Sequence, residues 1–285
     1  MHATVGQRAA AEELRKEGNA LFQRAKFSAA AERYTEAITL DPSNPALFVN
    51  RALCLKKQGA PGAWQRVAAD AASALALDAR NLKASYLTGV ALRELGGDLG
   101  AAIAHLGRAL EWAREKDDAI KDEIWRELAR ANDAAWRAES AARHGEADAL
   151  QRQLRALARA ARAASPTPGA GGAAVGGGGD AEAGCVDWGA LDRLFERAAA
   201  ADERGEVPSA FTCPLTMEVF RDPVTSRSGH TYERAALTEH LTKVGGWDPI
   251  TRAPTSLDDV RPNIAMRGAV ALYLQEHGWA WHECC

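Results

Sequence analysis

Residues 11–44 read AEELRKEGNALFQRAKFSAAAERYTEAITLDPSN, which is the pattern of two helices joined by a short turn. The small residues Gly18 and Ala30 would let the two helices approach closely, and the ring of Tyr34 would fill the space between them. Such a unit cannot bury its apolar face alone, so it predicts a stack of similar units along the chain. The positions that carry the pattern are Leu14, Gly18, Leu21, Ala30, Tyr34, Ala37 and Pro42.

Two further units follow with the same spacing of small and apolar residues. The second starts near Pro45 and has a longer turn at 59–62, and the third starts near Leu82. The three units resemble tetratricopeptide repeats, and three is the smallest number expected to bury a continuous core. We therefore predict a helical-repeat domain over 11–113, preceded by an N-terminal tail over 1–10. The pattern positions are Phe48, Ala52, Leu55, Ala71, Ala74 and Leu77 in the second unit, and Gly89, Leu92, Ala102, Leu106 and Ala109 in the third.

The middle of the chain, 114–164, has a helical pattern almost throughout. An apolar stripe of Ile120, Ile124 and Leu128 would cap the open end of the repeats. Further along, apolar residues at alternating spacings of three and four have the period of a coiled-coil seam, which favours a homodimer. The alternative is that this seam packs within its own chain. Its residues are Ala147, Leu150, Leu154, Leu157 and Ala161.

A break in the pattern follows at 165–184. This segment contains eight glycines and two prolines, and it cannot bury enough apolar surface to order itself, so we predict a flexible linker. A short amphipathic helix is predicted within 185–206, with Trp188, Leu191, Phe195 and Ala198 on one face.

Composition excludes several classes of protein. The 285 residues carry a formal net charge of −3, which gives no electrostatic reason to bind nucleic acid. No apolar run is long enough to span a membrane, and the first ten residues lack the apolar core of a signal peptide. We expect a cytoplasmic protein, with the nucleus as a second location, that needs no cofactor.

Five cysteines, at 54, 185, 213, 284 and 285, form no CxxC pair, so the usual spacing of a zinc site is missing. Cys213 and His230 leave a metal site open as the less favoured alternative to a buried structural thiol. Cys284 and Cys285 are expected to be frayed terminal thiols.

The C-terminal part, 207–281, is predicted to be a small α+β domain. Asp222-Pro223 indicates a turn, and 226–229 a hairpin loop. Thr231 is expected to cap a helix that ends near Lys243, and Asn263 to cap a final helix that Gly278 ends. Because the domain has no evident metal or disulfide, buried polar contacts must hold its two loops. The candidates for these contacts are Asp222, Thr231, Arg234 and Asp248.

Several motifs of this domain, in this order and spacing, closely resemble the U-box, the zinc-free relative of the RING domain in ubiquitin-protein ligases. The motifs are Phe211-Thr212-Cys213-Pro214-Leu215, Arg221-Asp222-Pro223-Val224, Gly229-His230-Thr231-Tyr232-Glu233-Arg234, Asp248-Pro249-Ile250-Thr251-Arg252 and Pro262-Asn263. The resemblance implies a scaffold that binds a ubiquitin-charged conjugating enzyme and brings it to a substrate lysine, without a covalent intermediate on the ligase.

The resemblance also implies which residues do this. The conjugating enzyme would dock on an apolar groove between two loops and the central helix. Arg252 would bridge the conjugating enzyme and ubiquitin and so orient the thioester, since its planar fork can hold carbonyls on both partners. The alternative interpretations assign no function to these residues. Leu215 and Met217 would belong to the core, Arg252 would be a charged loop residue that faces only water, and His240 would have no role. Met217 also replaces an aromatic residue of similar ligases. The groove residues are Leu215, Met217, His240, Pro249 and Ile250.

The repeats resemble those that bind the free carboxyl end of chaperone tails, which finish in Glu-Glu-Val-Asp. Capture of such a tail needs fixed cations and amide donors. The matching residues are Arg15, Asn19, Asn50 and Lys83, with Glu123, or Asp122 beside it, as an acidic residue behind the repeats. Arg15 stands where lysine is usual, and Lys16 next to it faces away. The alternative is that these residues are solvated helix surface.

Repeats and a U-box in one chain together resemble the co-chaperone ubiquitin ligases. The expected partners are the seventy- and ninety-kilodalton heat-shock chaperones through their acidic tails, a ubiquitin-conjugating enzyme, ubiquitin and misfolded client proteins. Two other functions stay open: a chaperone adaptor with an inert U-box, and a ligase whose repeats bind something other than chaperones. Arg252 and the apolar groove argue against the first, and the Arg15, Asn19, Asn50 and Lys83 set against the second.

Overall fold

The computed structural model describes residues 4–164, 187–200 and 204–285. The predicted linker at 165–184 and Cys185 lie outside this range, as does the side chain of Ala161. Internal contacts divide the chain into two compact units. The first comprises the chain up to Ala135 and from Glu206 onward, and the second is Trp136–Gly205. Within the described residues, no helix is long and apolar enough to cross a membrane.

Six antiparallel helices form the repeats, and they fall at the three predicted units. They are α1 (Val5–Gln23), α2 (Phe27–Leu40), α3 (Pro45–Gln58), α4 (Ala63–Leu77), α5 (Leu82–Glu94) and α6 (Leu99–Glu115). Each helix packs against the next, and α3 also touches α5. The first helices of the units therefore lie side by side on one face of the stack, the α1/α3/α5 face.

Close approach of the paired helices depends on glycine, as the sequence predicts. A Cβ atom added at Gly18 would lie 2.7 Å from the ring of Tyr34, which is buried between α1 and α2. A Cβ atom at Gly89 would lie 2.6 Å from Leu106, at the crossing of α5 and α6. Both distances are far shorter than van der Waals contact, so only glycine permits these crossings.

The N-terminal tail predicted over 1–10 is wrong for most of that range, because α1 begins at Val5. Thr4 and Gln7 form a capping box: the Thr4 side chain accepts from the backbone of Gln7, and the Gln7 side chain accepts from the backbone of Thr4. This reciprocal pair satisfies two otherwise free backbone donors, and it allows a helix to start among residues that have no apolar pattern.

The long helix α7 (Lys121–Ala164) follows a turn at 116–120, so the helical pattern predicted from 114 onward is interrupted there. Ile124 and Leu128 are buried, and Ile120 is half-buried, which confirms the predicted stripe. Two polar contacts tie α5 to α7. Tyr86 donates to Glu123 at 2.6 Å, and Arg93 pairs with Glu127 at 2.8 Å.

The second unit contains the C-terminal part of α7 and a helix, α8 (Trp188–Ala200). Asp192 on α8 accepts hydrogen bonds from Gln151 at 2.7 Å and from Arg155 at 2.8 Å, and these bonds hold α8 on α7. The predicted seam is covered only in part, because Leu150 and Leu157 are exposed, while Leu154 is half-buried. The dimer stays a prediction.

The C-terminal domain has a three-stranded antiparallel sheet in the order β2-β1-β3, formed by β1 (Pro223–Thr225), β2 (Thr231–Glu233) and β3 (Arg261–Pro262). Val224 at the centre of β1 pairs with Tyr232 on one side and with Pro262 on the other. Two helices, α9 (Arg234–Lys243) and α10 (Ile264–Glu276), complete the domain.

Two predictions for this domain are wrong: the residue that caps α9, and the state of the C-terminal Cys284. Thr231 does not cap α9, because it belongs to β2 and the helix begins only at Arg234. Cys284 is buried rather than frayed, since residues 278–284 form a 3-10 turn that packs back on the domain. Asn263 does cap α10, by accepting from the backbone of Met266 at 2.9 Å.

Candidate functional sites

The first loop of the C-terminal domain, 212–218, is organised around a buried thiol. Cys213 Sγ accepts from the backbone N–H groups of Leu215 and Glu233, at 3.4 and 3.2 Å. Its own backbone N–H donates to the carbonyl of Glu218 at 2.8 Å. Cys213 therefore fixes the bend of the loop and attaches the loop to the end of β2. Within the described residues, no three His, Cys, Asp or Glu side chains converge as metal ligands would.

The second loop, 247–253, is organised around the buried carboxylate of Asp248. One carboxylate oxygen accepts from Tyr232 at 2.8 Å and from the backbone N–H groups of Ile250 and Thr251. The other accepts from Ser226 at 2.6 Å and from Ser228. Burial alone would raise the pKa of Asp248, but these hydrogen bonds together hold it well below its usual range.

Asp248 thus links the hairpin loop to the second loop, and it is one of the residues predicted to make buried polar contacts. The prediction named no partner for it, and Ser226, Ser228 and Tyr232 were missed. The spacing of these three residues, two and four positions apart in the hairpin, is the pattern from which the sequence could have indicated them. Because Tyr232 and Glu233 are neighbours on β2, the two loops are attached at adjacent positions of one strand.

The other candidate residues, Asp222, Thr231 and Arg234, also make polar contacts, for which the sequence had assigned no pairings. Arg234 donates to Asp222 at 2.7 Å, and Asn263 donates to Thr231 at 2.9 Å. Glu233, which the sequence did not single out, accepts from the backbone N–H groups of Arg221 and Asp222. Burial raises the pKa of Glu233, and those two donors offset only part of the rise.

Apolar side chains on both loops face solvent. Met217 is 76% exposed, Ile250 51% and Leu215 38%, while Pro249 is half-buried. The core alternative is therefore wrong for Met217, whose backbone also adopts a positive φ of 60°. Val244 and Trp247 add two exposed apolar side chains that sequence reasoning missed. We call these five exposed residues the loop surface: Leu215, Met217, Val244, Trp247 and Ile250.

His240 joins α9 to this surface. Its Nε2 atom lies 3.1 Å from the carbonyl of Trp247, and its ring meets the Trp247 ring edge-on with centroids 5.9 Å apart. His240 therefore positions the second loop. Its side chain is also half-exposed, so it can contact a partner protein.

Arg252 stands at the end of the second loop with its side chain exposed. Its backbone has a φ of 58°, and its N–H donates to the carbonyl of Asp248 at 2.8 Å. Within the described part of the chain, its guanidinium makes no hydrogen bond or ion pair. The backbone of Arg252 is thus fixed, while its charge is available to a partner.

Three of the polar residues predicted in the repeats, Arg15, Asn19 and Asn50, come together on the α1/α3/α5 face. Asn19 Oδ1 accepts from Tyr34 at 2.7 Å and from Asn50 at 3.3 Å, so the two asparagines meet across 31 residues of sequence. The Arg15 charge lies near the Tyr34 hydroxyl, whose pKa burial raises to about 12. Glu12 binds the Arg15 guanidinium through two hydrogen bonds of 2.8 and 2.6 Å. Lys16 is exposed and pairs with Glu13.

A second cluster of polar side chains surrounds the carboxylate of Glu123 on α7. Glu123 accepts from Tyr86 at 2.6 Å and from Lys56 at 3.0 Å, and Lys56 also donates to the Tyr86 hydroxyl. Burial alone would raise the pKa of Glu123, but these donors lower it. Lys56 and Tyr86 were missed from the sequence. Lys83 is exposed at the start of α5 and has no ion pair within the described residues.

Comparison with known proteins identifies the family to which this chain belongs. The E3 ubiquitin-protein ligase CHIP of Arabidopsis thaliana is 38% identical over 279 residues, which cover 97% of this chain and 98% of that protein.

This chain belongs to the CHIP family of E3 ubiquitin-protein ligases. A U-box domain model matches residues 207–279, which contain both loops and α9, and a TPR repeat model matches residues 18–59. The E3 ubiquitin-protein ligase PUB24 of Arabidopsis thaliana is 38% identical over 77 residues, 27% of this chain and 17% of that protein.

Among solved structures, the Arabidopsis OM64 TPR domain is 26% identical and covers 44% of this chain and 98% of its own, with a TM-score of 0.38. The first TPR of Spaghetti (RPAP3), bound to the HSP90 peptide SRMEEVD, is 26% identical over 47% of this chain and 98% of its own, with a TM-score of 0.40. The CHIP relative and the two domain models, taken together, show that the chain is a U-box E3 ubiquitin-protein ligase with a tetratricopeptide domain.

Proposed function

We propose that this ligase ubiquitinates client proteins held by chaperones of the seventy- and ninety-kilodalton classes. The repeats bind the acidic C-terminal tail of the chaperone, and the U-box recruits a ubiquitin-charged conjugating enzyme. The observation that carries the tail-binding half is the meeting of Asn19 and Asn50 beside Arg15 on one face. Two amide side chains and a guanidinium at one place supply the donors that a terminal carboxylate requires.

Lys83 and Glu123 complete the proposed tail site. Lys83 is exposed on the third helix of this face and forms no ion pair with another described residue, so its ammonium suits the acidic side chain of the tail. Glu123 holds Lys56 and Tyr86 in place, so it acts on the tail through them. Of the two neighbouring cations, Arg15 is the better candidate because it lies near Tyr34, whereas Lys16 is exposed and pairs with Glu13.

The loop surface is proposed as the docking site for the conjugating enzyme. Several exposed apolar side chains on two loops attached to one strand make a preorganised patch that excludes water on binding. Arg252 at its edge would then hold the thioester-linked ubiquitin in one orientation, which raises the rate of transfer by removing orientational freedom. Pro249, which is half-buried in the second loop, and His240, which contacts Trp247, are proposed as further members of the docking site.

A homodimer is proposed through the exposed stripe of Leu150 and Leu157 on α7. Apolar residues at this spacing favour association of two helices.

We also propose that the protein acts in the cytoplasm, with the nucleus as the alternative. Microscopy of a tagged chain would distinguish the two locations.

The deciding experiment is a reconstituted ubiquitination reaction with a chaperone-bound, unfolded client. We expect modification of the client that is lost when a peptide ending in Glu-Glu-Val-Asp is added in excess, and retained when the same peptide carries a C-terminal amide. Equal inhibition by both peptides would overturn the tail-binding proposal. Transfer to no acceptor with any of a panel of conjugating enzymes would instead favour an inert adaptor.

A further inference from the structure

Lysine and arginine are distributed unevenly along this chain. Residues 1–121 contain seven lysines and ten arginines, whereas residues 122–285 contain one lysine and 17 arginines. The second range includes the U-box, the helices of the second unit and the segment between them. The one lysine there is Lys243. Positive charge is therefore kept in the ligase half of the molecule, but amine groups are almost absent from it.

Structure does not require arginine at many of these positions. Arg234 does use its planar fork, because its Nε atom donates to Asp222. In contrast, Arg152 and Arg159 are exposed and make no hydrogen bond or ion pair with other described residues. Arg227 is exposed on the hairpin loop and makes no hydrogen bond or ion pair there either. Lysine would solvate such positions equally well, so packing and charge do not explain the preference.

The chemistry of ubiquitin transfer does distinguish the two residues. A neutral lysine amine attacks the thioester carbonyl and the C–N bond forms. The C–S bond then breaks, the conjugating-enzyme sulfur leaves as a thiolate, and the one proton that the nitrogen gives up passes through water to that thiolate. Arginine cannot take this role, because its guanidinium stays protonated and its nitrogen lone pairs are delocalised. A ligase surface of arginines is therefore charged and soluble, yet unreactive toward the thioester beside it.

We propose that the arginine-rich half of this ligase is protected from its own activity, and that self-ubiquitination falls on the exposed lysines of the repeat domain. This inference deepens the proposed function, since it states where ubiquitin goes when no client is bound. The acceptors are Lys16, Lys26, Lys57, Lys83 and Lys116, all of which are exposed.

The three other lysines are excluded by their surroundings. Lys56 is largely covered and donates to Tyr86 and Glu123. Lys121 is largely covered and pairs with Asp117 and Asp222. Lys243 is exposed, but it adjoins Val244 of the loop surface, where a docked conjugating enzyme would cover it.

The test restores amines to the protected half. The full-length triple variant Arg152→Lys, Arg159→Lys, Arg227→Lys is compared with the wild type in a client-free reaction, and the modified lysines are located by mass spectrometry. We expect wild-type sites only among the five repeat-domain lysines, and additional sites at the introduced lysines in the variant. The triple variant with Gln at the same positions is the control for lost arginine charge, and its self-ubiquitination should match the wild type.

Three results would overturn the inference: modification of wild-type Lys243, introduced lysines that stay unmodified while the repeat-domain lysines react, or a wild type that modifies none of its own lysines while it discharges ubiquitin to free lysine. Discharge to free lysine, measured in parallel, reports the ligase activity separately. A loss of that discharge counts against the proposed docking of the conjugating enzyme, and not against the distribution of acceptors.

Discussion

At the scale of single residues, the carboxylate of Asp248 joins the hairpin loop to the second loop through hydrogen bonds. Five donors surround a carboxylate with no solvent exposure, so the charge is satisfied entirely by the protein. Such a group stabilises the fold only while all its partners are present. The geometry of the second loop, which carries Trp247 and Ile250 of the loop surface, therefore depends on one buried anion.

Asp248→Asn should destabilise the protein by about 2–4 kcal/mol, because an amide cannot accept from all five donors and brings two donors of its own. The folded-state pKa of Asp248 is depressed, so its stabilising contribution is fully present above the unfolded pKa of about 4 and is lost progressively as the pH falls from there through the folded-state pKa. Urea unfolding should thus show the largest difference from wild type at neutral pH and a smaller one below about pH 4. A difference that is independent of pH would contradict this role.

Arg252 and Leu215 should fail in different ways. Arg252→Ala should retain most of the affinity for the conjugating enzyme but slow ubiquitin discharge sharply, because it removes an interaction made mainly on the way to the transition state. Leu215→Asp should abolish both binding and discharge, because it places an unpaired carboxylate in an apolar contact. Binding by calorimetry and single-turnover discharge separate the two. Normal transfer by Leu215→Asp would show that docking occurs elsewhere.

Lys83→Ala should weaken binding of an acidic C-terminal peptide by about 2–4 kcal/mol, because a charge-assisted contact to a partly desolvated carboxylate is lost. Lys16→Ala is the matched control, since Lys16 is an exposed repeat-domain lysine that is already paired with Glu13. Its effect on the peptide should be small. Calorimetry that gives equal affinities for wild type and Lys83→Ala would remove Lys83 from the site.

At the scale of elements, the spacing of paired helices is set by glycines at their crossings. Gly18→Ala should destabilise the repeats by about 1–3 kcal/mol, because its methyl group would overlap the buried Tyr34 ring. Gly107→Ala is the control: it lies within α6, and a Cβ atom there meets nothing within 4 Å. That change should instead stabilise by about 0.5–1 kcal/mol, through helix propensity alone. Thermal unfolding of both variants checks the opposite signs, and a stabilised Gly18→Ala would contradict the crossing geometry.

The helices and strands also show how much of the fold could be predicted from the sequence alone. The six repeat helices and the cap of α10 follow from local patterns, because their apolar period and capping residues lie close in sequence. The start of α1 and the role of Thr231 were predicted wrongly. In the first case a polar capping box replaced the apolar pattern, and in the second a strand pairing took Thr231 from the helix.

At the scale of the whole molecule, the repeat region contacts the U-box within the first compact unit. Arg114 donates to the carbonyl of Arg221 at 2.9 Å, and Lys121 lies 3.5 Å from Asp222. The rings of Trp125 and Trp281 are 5.6 Å apart. Trp281 of the C-terminal turn takes part in this packing, and no local pattern predicts that contact.

Assembly is the prediction that belongs to this scale. Leu150→Asp with Leu157→Asp should convert the proposed dimer to a monomer, because each carboxylate would be buried between two helices. Light scattering of wild type and variant at micromolar concentrations measures the change. Arg152→Asp is the control for added negative charge on an exposed part of α7. A monomeric wild type would contradict the dimer, and a dimer that survives both substitutions would place the interface elsewhere.

The sequence by itself determined the repeats, the U-box and the types of residue at each site, because periodic apolar positions and short motifs encode local structure directly. It also determined the uneven distribution of lysine. Tertiary structure decided which polar groups meet: Asp248 with Ser226 and Tyr232, and Lys56 with Glu123. These contacts join residues far apart in sequence, and each depends on how the backbone places two elements together. A buried donor must find its acceptor within about 3 Å, and spacing along the chain does not specify that distance.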